Sequence, residues 1–208
     1  MRLFSVDGKL YKFMSTLWDI LKLNFLWLVF SLPIVTIGAS TVAAYSVTLK
    51  MVDNHEGNIM SDFYESFKKN LKQGIILGLI TIFLAYCAYI NIEVFNKAKD
   101  NPIIFLISGI FISYIGLVHI TYAFPLLARY ENTIKGTLLN SRKITYKYFF
   151  RTILLWIVVA LLIGFFNFNV PLIFIGLIIG PSTVFYGASA ISKKIFRNIE
   201  NDNISSWT

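Results

Sequence analysis

Charge is what this sequence has least of. Only 14% of its 208 residues are charged, against 56% hydrophobic and 16% aromatic, whereas a typical soluble domain carries about 25% charged residues. So small a polar fraction leaves too little to cover a water-facing surface. Cysteine occurs once, as Cys87, which excludes an intramolecular disulfide and a cysteine-built metal site; inside its apolar run it is expected to pack as a small apolar residue. Histidine occurs twice, as His55 and His119, and neither stands at metal-ligand spacing from Asp, Glu or Cys. His119 is expected to be a satisfied histidine among apolar neighbours. There is no glycine-rich loop ending in a Lys-Ser/Thr pair, so no nucleotide cradle, and no GxSxG-type nucleophile elbow. No catalytic residue, metal or cofactor is called for, and the chain is not read as an enzyme.

What is present is apolar sequence in long blocks. A spanning helix needs about 20 mostly apolar residues, because the hydrocarbon core is roughly 30 Å thick and a helix rises about 1.5 Å per residue. Residues 74–95, 103–128, 148–168 and 170–191 reach that length, and Glu93, His119 and Arg151 are the only Asp, Glu, Lys, Arg or His among them. The first fifty residues are harder to divide. Pro33 has no N–H and its ring clashes with the preceding turn, so a straight helix through it is disfavoured. Either one kinked span covers about 19–39, or two helices, 9–31 and 33–52, form a hairpin with Pro33 at the first helical position. The basic residues favour the hairpin. Arg2, Lys9 and Lys12; Lys68, Lys69 and Lys72; Arg129, Lys135, Arg142, Lys143, Lys147 and Arg151; and Lys193, Lys194 and Arg197 form four groups. All four face the cytoplasm under the positive-inside rule only if the first fifty residues cross an even number of times.

The expectation is therefore an all-α, polytopic transmembrane helical bundle in the plasma membrane. Its six crossings lie at about 9–31, 33–52, 74–95, 103–128, 148–168 and 170–191, with both termini cytoplasmic and five crossings as the alternative. One membrane domain covers 1–200, followed by a polar tail at 201–208. A cleaved signal peptide is the competing reading of the N-terminus. The polar lead-in is long for one, Asp19 and Lys22 interrupt it, and Pro33 sits inside the apolar stretch, so the first segment is expected to remain in the mature protein.

The net charge of +8 points to lipid headgroups rather than nucleic acid, since the Lys and Arg border the apolar blocks. Two bordering stretches are amphipathic. In 61–73, with Met60 just before it, Phe63, Tyr64, Phe67 and Leu71 recur at helical spacing, with Ser61 as a candidate cap and lysines at the C-terminal end. In 132–148, Ile134, Leu138 and Ile144 alternate with Lys135, Arg142 and Lys143. Both read as helices lying in the headgroup plane, and Phe63, Phe67, Lys68, Lys69, Arg129, Arg142 and Lys143 are the candidate docking residues for a cytoplasmic partner. Asp19 and Lys22, three apart, are placed to pair on one helix face.

An internal echo marks the apolar blocks: residues 37–42 read IGASTV and 179–184 read IGPSTV. Small residues let helix backbones approach, and Ser or Thr can bond across the contact. Gly-Pro interruptions in matching positions also occur where transporters bind their substrates. Asn24, Pro33, Gly38, Ser40, Thr41, Gly180, Pro181, Ser182 and Thr183 are thus candidates for helix packing first and for lining a solute path second. The distance from each copy to the upstream Trp27 and Trp156 differs, which argues against a strict duplication.

Residues 24–41 (NFLWLVFSLPIVTIGAST) resemble the signature of the YesL-like family, also called the DUF624 domain. Residues 66–73 (SFKKNLKQ) and 123–133 (AFPLLARYENT) support the resemblance, which spans about 1–200. Leu71 and Gly74 depart from the aromatic residue and alanine it leads one to expect. The family consists of Firmicute membrane proteins without an established molecular activity, and its genes tend to lie beside carbohydrate ABC transporters and polysaccharide-degrading enzymes. The resemblance implies an accessory or scaffold role in sugar uptake, with carbohydrate ABC transporter subunits as partners, and carries over no catalytic residues. A small-solute transporter or channel lined by Asn24, Ser40, Thr41, Ser182 and Thr183 is the alternative.

Overall fold

The computed structural model describes residues 9–53, 57–98 and 102–201; Arg2, His55, Asp100 and nearly all of the 201–208 tail lie outside the described residues. Among those described there are helices and no strands: α1 (Lys9–Ser31), α2 (Ile37–Val52), α3 (Ile59–Lys97), α4 (Ile103–Ile120), α5 (Ala123–Arg129), α6 (Ile134–Lys147), α7 (Phe149–Phe166) and α8 (Val170–Asn201). Six segments are long and apolar enough to cross a bilayer: Leu10–Ser31, Ile34–Val52, Ile59–Lys97, Ile103–Arg129, Phe149–Phe166 and Val170–Asn201. Large apolar side chains cover the outside, with Leu32, Phe168 and Phe150 80%, 82% and 86% exposed. Water would not tolerate so continuous a coat, and hydrocarbon does.

The first fifty residues form the two-helix hairpin. Pro33 does not open the second helix, however. It sits outside it in an extended conformation (φ −74°, ψ 114°), followed by a 3-10 turn over Ile34–Thr36. The Thr36 hydroxyl bonds the Phe30 and Pro33 carbonyls, both at 2.7 Å, so the corner satisfies the Phe30 carbonyl, which Pro33 has no N–H to serve. Successive spans then run antiparallel. Lys50 meets Asp62 at the end where α2 stops and α3 starts, Ser108 bonds Asn91 where α3 passes to α4, and Phe166 packs on Gly176 across the α7–α8 turn. The C-terminal ends of α2, α5 and α8 and the start of α3 thus gather at one end of the bundle, with α6 beside them. We call this the basic end.

Three expectations about boundaries are corrected. The 61–73 stretch is not a separate helix in the headgroup plane: Asn58, not Ser61, caps it by accepting from the Met60 and Ser61 N–H groups, and it runs unbroken into the span as one 39-residue helix. That is about 58 Å of helix, nearly twice the hydrocarbon thickness. The 103–128 span is divided, since the helix breaks at Thr121–Tyr122 and α5 completes it. Gly180 and Pro181 do not punctuate the last span, which continues through them to Asn201. The helix over 134–147 does form, capped by Thr133, but Leu138 and Ile144 face protein rather than lipid. Its buried face is rich in hydroxyls: Ser141 accepts from the Tyr122 N–H and Thr145 donates to the Val118 carbonyl. These bonds reach the α4–α5 break, where backbone groups have left the helical ladder.

Helix packing is closest between α2 and α3. A Cβ built on Gly38 would lie 2.1 Å from the Gly74 carbonyl oxygen and 2.7 Å from the Gly78 Cα, so these backbones touch through glycine on both sides. Residues 74–78 (GIILG) are a small-xxx-small pair, and Gly74, noted only as a departure from the family pattern, is needed at this crossing. Along the α2–α8 seam Thr48 shares a 2.7 Å hydrogen bond with Ser189. Buried Lys193 donates to the Val52 carbonyl at 3.0 Å and pairs with Asp53, closing the C-terminal end of α2 with a cation, as the helix dipole favours.

Gly38→Ala is expected to destabilise the bundle by about 1–3 kcal/mol through overpacking against backbone that cannot yield. Gly164→Ala, where a Cβ meets nothing within 4 Å, is expected to be neutral or mildly stabilising. Denaturant titration of both variants in micelles measures the difference, and equal shifts would contradict the close crossing.

Candidate functional site

The intramembrane candidates converge on one defect. Pro181 has no N–H, so within α8 the Leu177 carbonyl loses the donor four residues ahead of it. Asn24, 1% exposed on α1, fills the gap. Its Nδ2 donates to the Leu177 carbonyl at 2.9 Å, and its Oδ1 accepts from the Ser182 N–H at 3.2 Å. Both ends of one amide side chain are spent on the two backbone groups beside the proline, so α8 continues and α1 is fixed to it. The Ser182 hydroxyl is buried without a partner. Gly180 faces the Phe166 ring in ordinary contact.

The other copy of the echo is used differently. The Ser40 hydroxyl donates to the Thr36 carbonyl. Thr41 donates to the Ile37 carbonyl and accepts from Trp27 Nε1 at 3.2 Å. Thr183 matches the first of these habits by donating to the Ile179 carbonyl, but Trp156 reaches Thr121 instead. The two copies lie on neighbouring helices running in the same direction, α2 and α8, yet Gly38 meets glycine and Gly180 meets a ring. The structure brings Asn24, Pro181 and Ser182 together and leaves Ser40 and Thr41 bonded within and beside α2. His119 Nδ1 bonds the Ile115 carbonyl of its own helix at 2.9 Å.

At the basic end a polar cleft of about 180 Å³ is lined by Lys50, Asp62, Glu65, Lys69, Arg129 and Glu131, among others. Its charges are tied to each other. Lys50 meets Asp62 at 2.8 Å and Lys69 meets Glu131 at 2.6 Å. Arg129 holds Glu200 through two bonds of 3.0 and 3.1 Å, and Tyr130 donates to the same carboxylate at 2.6 Å. The hydrogen bond and charge of Lys69 hold the Glu131 carboxyl below its ordinary range. That contact is complete above the usual carboxylate range and is lost as pH falls through the lowered value.

This geometry revises the docking candidates. Phe63 is fully buried against the Phe30 ring at 5.4 Å, and Phe67 packs half-buried on the same ring at 4.9 Å, because α3 turns that stripe toward α1. Neither is offered to a partner as expected. Lys69 and Arg129 are engaged in ion pairs. Lys68, over the Tyr64 ring at 4.6 Å, and Arg142 and Lys143, exposed on α6, remain at the surface. Sequence reasoning missed Lys193, grouped with the terminal charges; its signal was the spacing of Ser182, Ser189 and Lys193, seven and four apart on one face of α8.

The larger cavity, about 700 Å³, lies between α4 and α7 over a floor of α2 and α8 and is almost wholly apolar, with Leu84, Ile112, Leu117, Trp156, Val159 and Phe185 in its walls. Thr41 contributes to it; Asn24, Ser40, Ser182 and Thr183 do not.

A family model described as "Protein of unknown function, DUF624" matches residues 20–92, from the Asn24 region through the hairpin and most of α3. "Uncharacterized protein YesL" of Bacillus subtilis (strain 168) is 28% identical over 138 residues, covering 64% of this chain and 65% of that protein. The chain thus matches less than two thirds of that relative's length. No solved structure matches.

Asn24→Leu is expected to destabilise the fold by about 1–2 kcal/mol, since two backbone groups lose their partners. Pro181→Ala restores an N–H to Leu177 and should recover part of that loss. A double-mutant cycle measures the coupling, and additive effects would show that the amide does not serve the proline break.

Proposed function

Since this chain is a member of the YesL-like DUF624 family, we propose that it is a multi-pass protein of the cell membrane that serves carbohydrate ABC uptake as an accessory or scaffold component, without a catalytic step of its own. The observation that carries the reading is the engagement of Asn24 with Leu177 and Ser182. The side chain best placed to meet a polar solute in the span is consumed in holding two helices. Thr48 and Ser189 are likewise bonded to each other, as are Tyr122 and Thr152. A solute path needs polar groups turned toward a cavity, and here they are turned into the helix contacts. That favours a scaffold over a transporter lined by Asn24, Ser40, Thr41, Ser182 and Thr183.

The partner class comes from the family resemblance and the docking face from the basic end. We take that end as cytoplasmic, with both termini on that side, because its Lys and Arg follow the positive-inside preference. Lys68, Arg142 and Lys143 are among the exposed cations there, suited to an acidic surface on a permease subunit, and the ion pairs around the polar cleft hold the surrounding elements in fixed relation.

Affinity purification from native membranes in mild detergent is expected to recover carbohydrate ABC permease or solute-binding subunits. Arg142→Glu combined with Lys143→Glu should lower that recovery several-fold without removing the protein from the membrane. A preparation containing none of these subunits would sink the accessory reading. Saturable solute flux in liposomes holding this chain alone would restore the transporter.

A further inference from the structure

We propose that the crevice between α4 and α7 binds one anionic phospholipid, with an acyl chain along the crevice and the headgroup phosphate beside Lys147 and Arg151. The inference stands apart from the accessory reading. α4 packs on α3 and α6, and α7 on α8 and α6, while α4 and α7 touch each other little beyond the hydrogen bond from Trp156 to Thr121. The space of about 700 Å³ between them therefore opens sideways, toward the surroundings of the bundle. Its walls run from Ile112 to Thr121 on α4 and from Leu155 to Ile163 on α7, about 12–14 Å of helix in each case and close to one leaflet of a roughly 30 Å core.

The chemistry of the walls selects the filler. Thr41, Thr81, Ser113 and Thr121 each donate their hydroxyl to a carbonyl of their own helix or chain four residues back, and Trp156 Nε1 donates to Thr121. These hydroxyls are turned into the backbone, and apart from the Tyr45 phenol what remains is methyl, methylene and ring surface. Water would find few partners in it. Left empty, a gap this size would forfeit dispersion contacts along both walls. A hydrocarbon chain restores them.

Charge selects the headgroup. Arg151, Leu155 and Val159 stand four residues apart, so Arg151 extends the crevice-facing stripe of α7 one turn toward the basic end. Lys147 and Arg151 flank the Tyr148 ring at 5.5 and 5.8 Å, so a second cation lies beside Arg151, one turn beyond Leu155. No Asp or Glu occurs between Glu131 and Glu200, so α6 and α7 carry only positive charge at this end. An arginine with an adjacent lysine suits a phosphate diester of net negative charge better than the internally neutralised headgroup of phosphatidylcholine.

The test uses the full chain in vesicles containing phosphatidylglycerol or phosphatidylcholine with brominated acyl chains, which quench tryptophan on contact. One variant, with Trp18, Trp27 and Trp207 replaced by Phe, keeps Trp156 in the crevice wall. A second, with Trp27, Trp156 and Trp207 replaced, keeps Trp18. Trp18 is 60% exposed with Lys22 at 5.5 Å, so it reports an ordinary lipid-facing surface beside a single cation. At Trp156 the preference for brominated phosphatidylglycerol over phosphatidylcholine is expected to be about fivefold larger than at Trp18, the effect of one additional basic group near the lipid surface. Lys147→Gln with Arg151→Gln should bring the Trp156 preference down to the Trp18 level or below it while quenching at Trp18 stays unchanged, which also verifies insertion. Equal quenching by the two lipids at Trp156, or a preference that survives the double substitution, would overturn the headgroup assignment. Quenching at Trp156 weaker than at Trp18 by both lipids would overturn the site.

Discussion

A single amide, that of Asn24, makes the last helix possible. In hydrocarbon there is no water to take up a carbonyl that has lost its donor, so a proline inside a spanning helix requires a partner from elsewhere in the protein. Here the partner is a side chain 157 residues away from the proline in the sequence (181 less 24), which serves the groups on both sides of the break. The cost of burying an uncompensated amide and the cost of an uncompensated proline cancel in one contact. Each residue offsets the cost of the other, and their meeting fixes α1 to α8 at this level.

The same rule governs the rest of the bundle. Where α4 breaks before α5, Ser141 and Thr145 of α6 come to the backbone groups left over. Where α2 ends, Lys193 closes its carbonyl end. Where Pro33 interrupts the first hairpin, the Thr36 hydroxyl turns back to two carbonyls. Each of these irregularities is met by a polar side chain, and those that come from a neighbouring helix tie together elements that hydrophobic burial alone would not orient, because lipid tails are as apolar as leucine. The result is a bundle with polar groups turned inward, apolar groups outward, and the ion pairs that join one element to another collected at the basic end.

The sequence made the crossings legible because block length and the absence of charge are direct consequences of bilayer thickness. It made the hairpin legible because Pro33 and the parity of the basic groups pointed the same way. Asn24, Pro181 and Ser182 could be singled out, but not joined, since nothing local says which distant carbonyl an asparagine will serve. The continuity of α3 was hidden by Lys68, Lys69 and Lys72, which look like the edge of a membrane segment although a helix does not stop where its side chains turn polar. Phe63 looked like part of an outward apolar stripe, since amphipathic periodicity defines a face without saying whether lipid, partner or protein covers it. The glycines at 74 and 78 were visible as a spacing, and only the approach of Gly38 shows why a methyl group cannot replace them.

The length of α3 has a mechanical consequence. It is a single rod held closest to its neighbour where Gly38 faces Gly74 and Gly78, with about 25 Å of helix toward its capped start and about 32 Å toward its far end. A rod gripped near its middle is a seesaw. A sideways load on the end that carries Lys68 and Lys69 is therefore resisted on both sides of the glycine contact, by the Lys50–Asp62 pair near the start and by the Asn91–Ser108 bond to α4.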